Sequence, residues 1–212
     1  CLGFEMLYVL ASGVYGDGAG TILHTGFDSE NISLALDTSS TRVAFDGSRL
    51  FGLGNAPDSV RQRLMEDNVT MNNHISGVTP EAFSGNANLT GLLTMLSTDV
   101  DRKGARFVST VEGISAPIYA TQWHPEKVQF EWWVKEAINH TAGSVDANSY
   151  PARFLGAEAR KNSRHFDTPE DEAKALIYNF EPIFTGDQVH DFEQEYFFNP
   201  TAQGGGKRVR RA

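Results

Sequence analysis

Leu2, Met6, Leu7 and Leu10 recur at helical spacing and Gly13 follows as a stop, which predicts a helix over 2–10 with Cys1 at its N-terminal end. The segment Gly16-Asp17-Gly18-Ala19-Gly20-Thr21 reads as a turn. It lacks the Lys-Ser/Thr of a phosphate loop and the full dinucleotide fingerprint, and it follows a helix instead of a strand. Short β-like runs at 21–23, 43–45 and 49–51, separated by Asp, Ser and Gly, predict hairpins or sheet connections, and a short helix is expected over 59–66. Two strands are predicted at 106–111 and 117–123, joined through Glu112-Gly113 and Pro117, with the second running straight into His124. Pro151 is expected to open a helix through Lys161, because proline is tolerated in a first turn and Phe154, Leu155 and Ala159 leave one apolar side. The run 175–180 reads as a late strand. No internal repeat is present, and nothing after Pro200 has a core-forming pattern. The expected division is therefore a folded body over 1–198 and a disordered, basic tail over 199–212.

At 212 residues the chain is one domain or a compact pair, and 40% apolar with 21% charged residues is the composition of a globular protein. No stretch reaches the ~18 consecutive apolar residues of a spanning helix, so no membrane partner is expected. Twenty-seven acidic against 18 basic residues, a net charge of −9, argue against nucleic acid as a partner of the body.

Cys1 is the only cysteine, which excludes an internal disulfide framework and a thiolate-rich zinc site. No metal or other cofactor is expected, since the histidines offer no H-x-x-x-H spacing. A chain that opens on cysteine is expected to be processed or part of something longer. Four Asn-x-Ser/Thr sequons, at Asn31, Asn68, Asn88 and Asn139, compare with about two expected by chance, and point to a glycoprotein of the secretory pathway: lysosomal, vacuolar or extracellular.

A helix N-terminus presents unpaired N–H groups and partial positive charge, which favour a thiolate and can hold an oxyanion beside it. A cysteine nucleophile there needs a base, and the base needs an acceptor that fixes its tautomer. His124 in Gln122-Trp123-His124-Pro125-Glu126-Lys127 supplies the imidazole, and Glu126 the carboxylate two residues on.

Cys1-Leu2-Gly3-Phe4-Glu5, followed far downstream by Gln122 to Lys127, resembles the class I glutamine amidotransferase superfamily and, within it, the γ-glutamyl hydrolases. Asn73-His74, Ser109-Thr110-Val111-Glu112-Gly113, Phe130-Glu131-Trp132, Glu158-Ala159-Arg160-Lys161-Asn162 and Ala175 to Phe180 add to the likeness, which runs from Cys1 to about Phe198. The resemblance implies an α/β, flavodoxin-like three-layer sandwich, of which this chain holds the C-terminal two-thirds. It implies cysteine-dependent hydrolysis of γ-glutamyl amide bonds in folylpoly-γ-glutamates through a thioester. Cys1 is then the nucleophile, His124 the proton shuttle, Glu126 its orienting partner and the N–H of Leu2 one oxyanion donor. Glu5, His74, Gln122 and Lys127 become candidates for substrate binding, Lys127 because a polyglutamate offers several carboxylates. The partner is a small-molecule substrate, and the assembly a homodimer.

Members of that family carry roughly a hundred residues before the nucleophile, so the 212-residue chain is expected to be weakly active or inactive by itself. Two other classes stay open on sequence. One is an N-terminal-nucleophile amidase using the α-amine of Cys1 as base, and the other a non-catalytic fragment that binds γ-glutamyl ligands.

Overall fold

The computed structural model of the protein describes residues 1–186 and 192–198. Helix α1 (Leu2–Ser12) follows Cys1 and ends at Gly13, whose φ of 71° places it in the left-handed region open to glycine. The helix is as expected, but its inner face is Phe4 and Tyr8, stacked edge-on at 4.8 Å, while Leu2, Met6 and Leu10 face outward. The Gly-rich turn that follows closes as a 3-10 helix, Gly16–Thr21.

Strand β1 (His24–Leu34) pairs antiparallel with β2 (Thr70–Gly77), and the connection between them carries α2 (Arg42–Gly47) and α3 (Asp58–Glu66). The 59–66 helix is thus found, whereas 43–45 is helical and not β-like. Phe45 is fully buried there and its N–H returns to Thr41 O at 2.8 Å. The Arg61 guanidinium ion-pairs with Asp46 and lies 5.3 Å from the Phe45 ring. Tertiary packing outweighs the β preference of a three-residue run. The β-like run at 49–51 is a buried turn, bound through the N–H groups of Arg49 and Leu50 to the Glu112 carboxylate at 3.0 and 2.8 Å.

Two short helices, α4 (Pro80–Ser84) and α5 (Ala87–Leu92), precede a three-stranded antiparallel sheet of β3 (Leu93–Val100), β4 (Arg106–Gly113) and β5 (Tyr119–Thr121), in the order β3-β4-β5. The two strands expected before His124 are β4 and β5. Seven of the eight β4 residues are buried, which for a strand means cover on both faces. Two apolar clusters supply it. One joins Phe4, Tyr8, Phe83, Leu89, Leu93, Val108 and Val111, and the other joins Phe45, Phe51, Val60, Leu64, Leu96, Trp123 and Tyr150. β3 contributes Leu93 to the first and Leu96 to the second, so the sheet lies between helical layers. The fold class is mixed α/β, as expected, with antiparallel pairing in every named sheet among the described residues.

Beyond β5 come α6 (Lys127–Phe130) and α7 (Ala142–Ala159). Pro151 does not open α7 but sits inside it. The N-cap is Thr141, which accepts from Ser144 N, and Asn148 and Tyr150 bond to Val69 O and Leu50 O at 3.0 and 2.9 Å. Those buried anchors offset the ~3 kcal/mol that an interior proline costs. The expected strand at 175–180 is instead the end of α8 (Pro169–Ala175) followed by a 3-10 turn at Ile177–Asn179. The Asn179 amide donates to Ala173 O and Lys174 O at 2.7 and 3.0 Å, satisfying the carbonyls that the helix leaves open. A last pair, β6 (Ile183–Phe184) and β7 (Gln194–Glu195), is antiparallel. The expected tail over 199–212 lies outside the described residues. No helix among the described residues is long and apolar enough to cross a membrane.

Candidate active site

A cavity of about 560 Å³ is lined by Cys1, Leu2, Tyr119, Thr121, His124 and Glu126, among others. Residues 123 positions apart in sequence thus meet on one wall system. A larger cavity, about 660 Å³, lies elsewhere against Arg63, Asp67 and Asn139 and holds no cysteine or histidine.

Cys1 reaches the cavity because α1 starts there. Its carbonyl takes the first helical bond, from Glu5 N at 3.0 Å, and its N–H lies 3.4 Å from Thr121 O at the end of β5. The thiol rests 3.8 Å from Asn73 O of β2. Leu2, first residue of the helix, has an N–H without an intrahelical acceptor.

His124 is held from three sides. Its N–H donates to Met71 O at 2.8 Å, and Gln122 N ties the preceding backbone to Ser109 O at 2.8 Å. Between them the fully buried Trp123 donates from Nε1 to Thr110 Oγ1 at 3.1 Å. The imidazole Nδ1 is 2.6 Å from Glu126 Oε1. Nδ1–H therefore donates to the carboxylate and Nε2 keeps its lone pair, the tautomer of a general base. Partial burial pushes the Glu126 carboxyl up, but the His124 hydrogen bond and charge outweigh it and hold it below its usual range.

The other residues implied by the resemblance take different places. Glu5 and Gln122 are buried and bonded to each other, Gln122 Nε2 to Glu5 Oε1 at 3.1 Å. His74, 4% exposed, sits on β2 with Nδ1 2.7 Å from Ser76 O and its ring edge-on to Phe107 at 4.7 Å. Burial pushes its pKa down to about 4, so it is neutral. Lys127 lies inside the fold, its ammonium buried and held by Glu136 Oε1 and Oε2 at 2.8 and 3.0 Å. None of these four lines the cavity.

The sequons also differ. Asn31 is a latch: its amide donates to Lys135 O at 2.9 Å and accepts from Ala137 N at 2.5 Å. Asn139 accepts from Thr141 N and Oγ1, and Asn88 donates to Ser12 O at 2.9 Å. Asn68 is exposed.

Sequence reasoning picked out Asn73-His74 but missed the strand β2 that carries them, which meets the site through backbone carbonyls, Met71 O on the His124 backbone and Asn73 O on the Cys1 thiol. Besides that dipeptide, its sequence signal is the short apolar run around Val69 and Met71.

No protein-family model matches the chain. It is 37% identical over 205 residues to the gamma-glutamyl hydrolase of Mus musculus and 36% identical over 199 residues to that of Homo sapiens. It is 34% identical over 199 residues to gamma-glutamyl hydrolase B of Dictyostelium discoideum. Each alignment covers 94% of this chain, and 58%, 58% and 54% of the respective relative. The chain is homologous to these proteins over almost all its length and spans little more than half of theirs.

Proposed function

We propose, from the premise of this homology, that the protein hydrolyses γ-glutamyl amide bonds with Cys1 as nucleophile, and that its substrates are folyl or antifolate poly-γ-glutamates. The observation that carries the reading is the single cavity in which Cys1, at a helix N-terminus, shares the wall with a His124 already bonded to Glu126.

His124 Nε2 takes the thiol proton as Cys1 Sγ attacks the carbonyl carbon, and the negative charge moves onto the carbonyl oxygen, facing the Leu2 N–H. Collapse breaks the C–N bond, and His124 returns the proton to the leaving amine. The resulting thioester is opened by water, which His124 deprotonates in turn. Glu126 keeps Nδ1–H in place and stabilises the transient imidazolium. Cysteine, histidine and water suffice, so the reading needs no cofactor.

The finer fold reading, a flavodoxin-like three-layer sandwich, is supported by helical layers on both sides of β3-β4-β5. A homodimer, a secretory-pathway location and glycans at the sequons, of which Asn31, Asn68 and Asn88 are exposed, belong to the same reading. The decisive experiment compares γ-linked with α-linked glutamyl oligomers. Weak turnover of the γ-linked series alone, abolished by Cys1→Ala and by His124→Ala, is expected. Retained turnover in His124→Ala refutes the assignment in favour of an N-terminal-nucleophile amidase. A protein that binds the oligomers without cleaving them is a γ-glutamyl-binding module instead.

A further inference from the structure

From Lys161 through Phe184 every residue is exposed, although the segment contains a helix and a 3-10 turn. Phe166, Leu176, Ile177, Tyr178, Phe180 and Phe184 are between 39% and 87% exposed. Single exposed apolar side chains need no explanation, but a run of them along one segment does, because apolar surface gains by leaving water. Nor is the segment without form. Thr168 caps α8 by accepting from Asp171 N at 3.2 Å, and the Asn179 amide closes the turn after it. At the far end, buried Thr185 donates from N–H to Glu193 O at 3.0 Å and from Oγ1 to Phe192 O at 2.8 Å, and Glu193 N–H reaches Glu131 Oε2 at 3.1 Å. At the near end the chain continues from α7, which Asn148 and Tyr150 anchor in the body. The result is a strap shaped by its own hydrogen bonds and tied down at both ends. Among the described residues, every hydrogen bond and ion pair of 163–182 ends within 162–182.

A segment with its local structure fully specified and its apolar side chains unburied has the make-up of one side of an interface, aromatic residues included. The alignment with the Mus musculus hydrolase covers 94% of this chain, which takes in at least part of the strap, and 58% of the relative. In the relative, the rest of the chain is present in the same molecule, at an effective concentration that a separate partner does not match. The charges of α8 add a second condition. Glu170, Asp171 and Glu172 fill its first turn, and among the described residues only Asp171 has a cation partner, Lys174 at 3.1 Å. A second copy of this chain brings a net charge of −9 to those acids. We infer that the strap is an interface internal to a larger hydrolase: it receives the part of a γ-glutamyl hydrolase chain outside the aligned length, and that part offers an apolar groove edged by lysine or arginine opposite Glu170 and Glu172. The inference rests on the homology and on the exposure of the strap, and is independent of the catalytic reading.

The test joins the part of the Mus musculus hydrolase outside the alignment to this chain as one polypeptide and compares it with the 212-residue chain alone. Two quantities are read: hydrogen–deuterium exchange of the amides of 163–182, and the urea midpoint with and without Tyr178→Glu. In the 212-residue chain the substitution is expected to leave the midpoint unchanged, because the Tyr178 ring already faces water. In the joined chain the strap amides are expected to exchange about 100-fold more slowly, and Tyr178→Glu to lower the midpoint, because it puts a charge into a closed apolar contact. Equal exchange in the two proteins, or a joined chain indifferent to Tyr178→Glu, overturns the inference. So does self-association of the 212-residue chain in sedimentation that Tyr178→Glu abolishes, which assigns the strap to a second copy. A joined chain that does not fold is replaced by the Mus musculus hydrolase carrying residues 161–184 of this chain in place of its own segment. There Tyr178→Glu is again expected to lower the midpoint, and an unchanged midpoint overturns the inference. None of these readouts uses turnover, so a failure of the catalytic reading leaves the test standing.

Discussion

At His124 the carboxylate of Glu126 approaches Nδ1 to 2.6 Å, yet the Glu126 side chain is 63% exposed. An exposed carboxylate orients a ring less firmly than a buried one, because water can replace it as the acceptor. Glu126→Ala is therefore expected to lower kcat by about 10- to 100-fold, less than His124→Ala, with KM unchanged; initial rates on a γ-glutamyl oligomer check it. The two residues lie two positions apart in sequence, and the pairing was readable from the pattern His124-Pro125-Glu126. Lys127 shows the opposite case. A lysine beside a catalytic histidine reads as a substrate cation, and only Glu136, nine residues on and with no motif around it, turns it into a structural ion pair. Glu136→Ala leaves a buried, unpaired ammonium and is expected to cost about 3–5 kcal/mol in urea-unfolding stability.

Among the elements, α1 follows Cys1, the proposed nucleophile, and its ends are set by two different devices. Cys1 opens it without a side-chain cap, and Gly13 closes it at φ 71°. A Cβ on Gly13 would meet Asn88 Nδ2 at 3.1 Å, the amide that also binds Ser12 O. Gly13→Ala is expected to destabilise the fold by about 1–2 kcal/mol through the left-handed backbone and that contact, measured as a lower urea midpoint. This helix was legible because its apolar spacing and its glycine stop are both local. The helix α2 and the 3-10 turn after α8 were not, because Phe45 is recruited by Arg61 and the second cluster, and the 175–180 run is shaped by the amide of Asn179. Periodicity sees neither. Pro151 misled for the same reason: the anchors of α7 at Asn148 and Tyr150 are tertiary.

Across the whole molecule, two buried groups give the stability opposite pH slopes. Burial pushes His74 from 6.5 down to about 4. Its contribution is complete above 6.5 and is lost as pH falls towards 4, about 3 kcal/mol in all. Burial pushes Asp99 from 3.8 up to about 7, against the hydrogen bond from Ser109 Oγ at 2.6 Å. Its contribution is complete below 3.8 and is lost as pH rises to 7. Between about pH 4 and 6.5 the two slopes oppose each other, so the protein is expected to hold nearly constant stability there. Asp99→Asn keeps the shape and removes one slope. The variant is expected to lose stability steadily from pH 6.5 down to 4, read as the urea midpoint at several pH values, and a flat profile refutes the pairing.

The sequence by itself determined the local elements that present the candidate residues: the helix after Cys1, the strands before His124, and the histidine with its carboxylate two residues away. Those features are encoded within a few positions, where spacing and residue type act directly. Only the tertiary structure decided that Cys1 and His124 share one cavity, that β2 supports both through backbone carbonyls, and that Glu5, Gln122 and Lys127 are bonded inside the protein and not turned to the cavity. A side chain's partner is chosen by proximity and desolvation, and both arise when distant segments fold together.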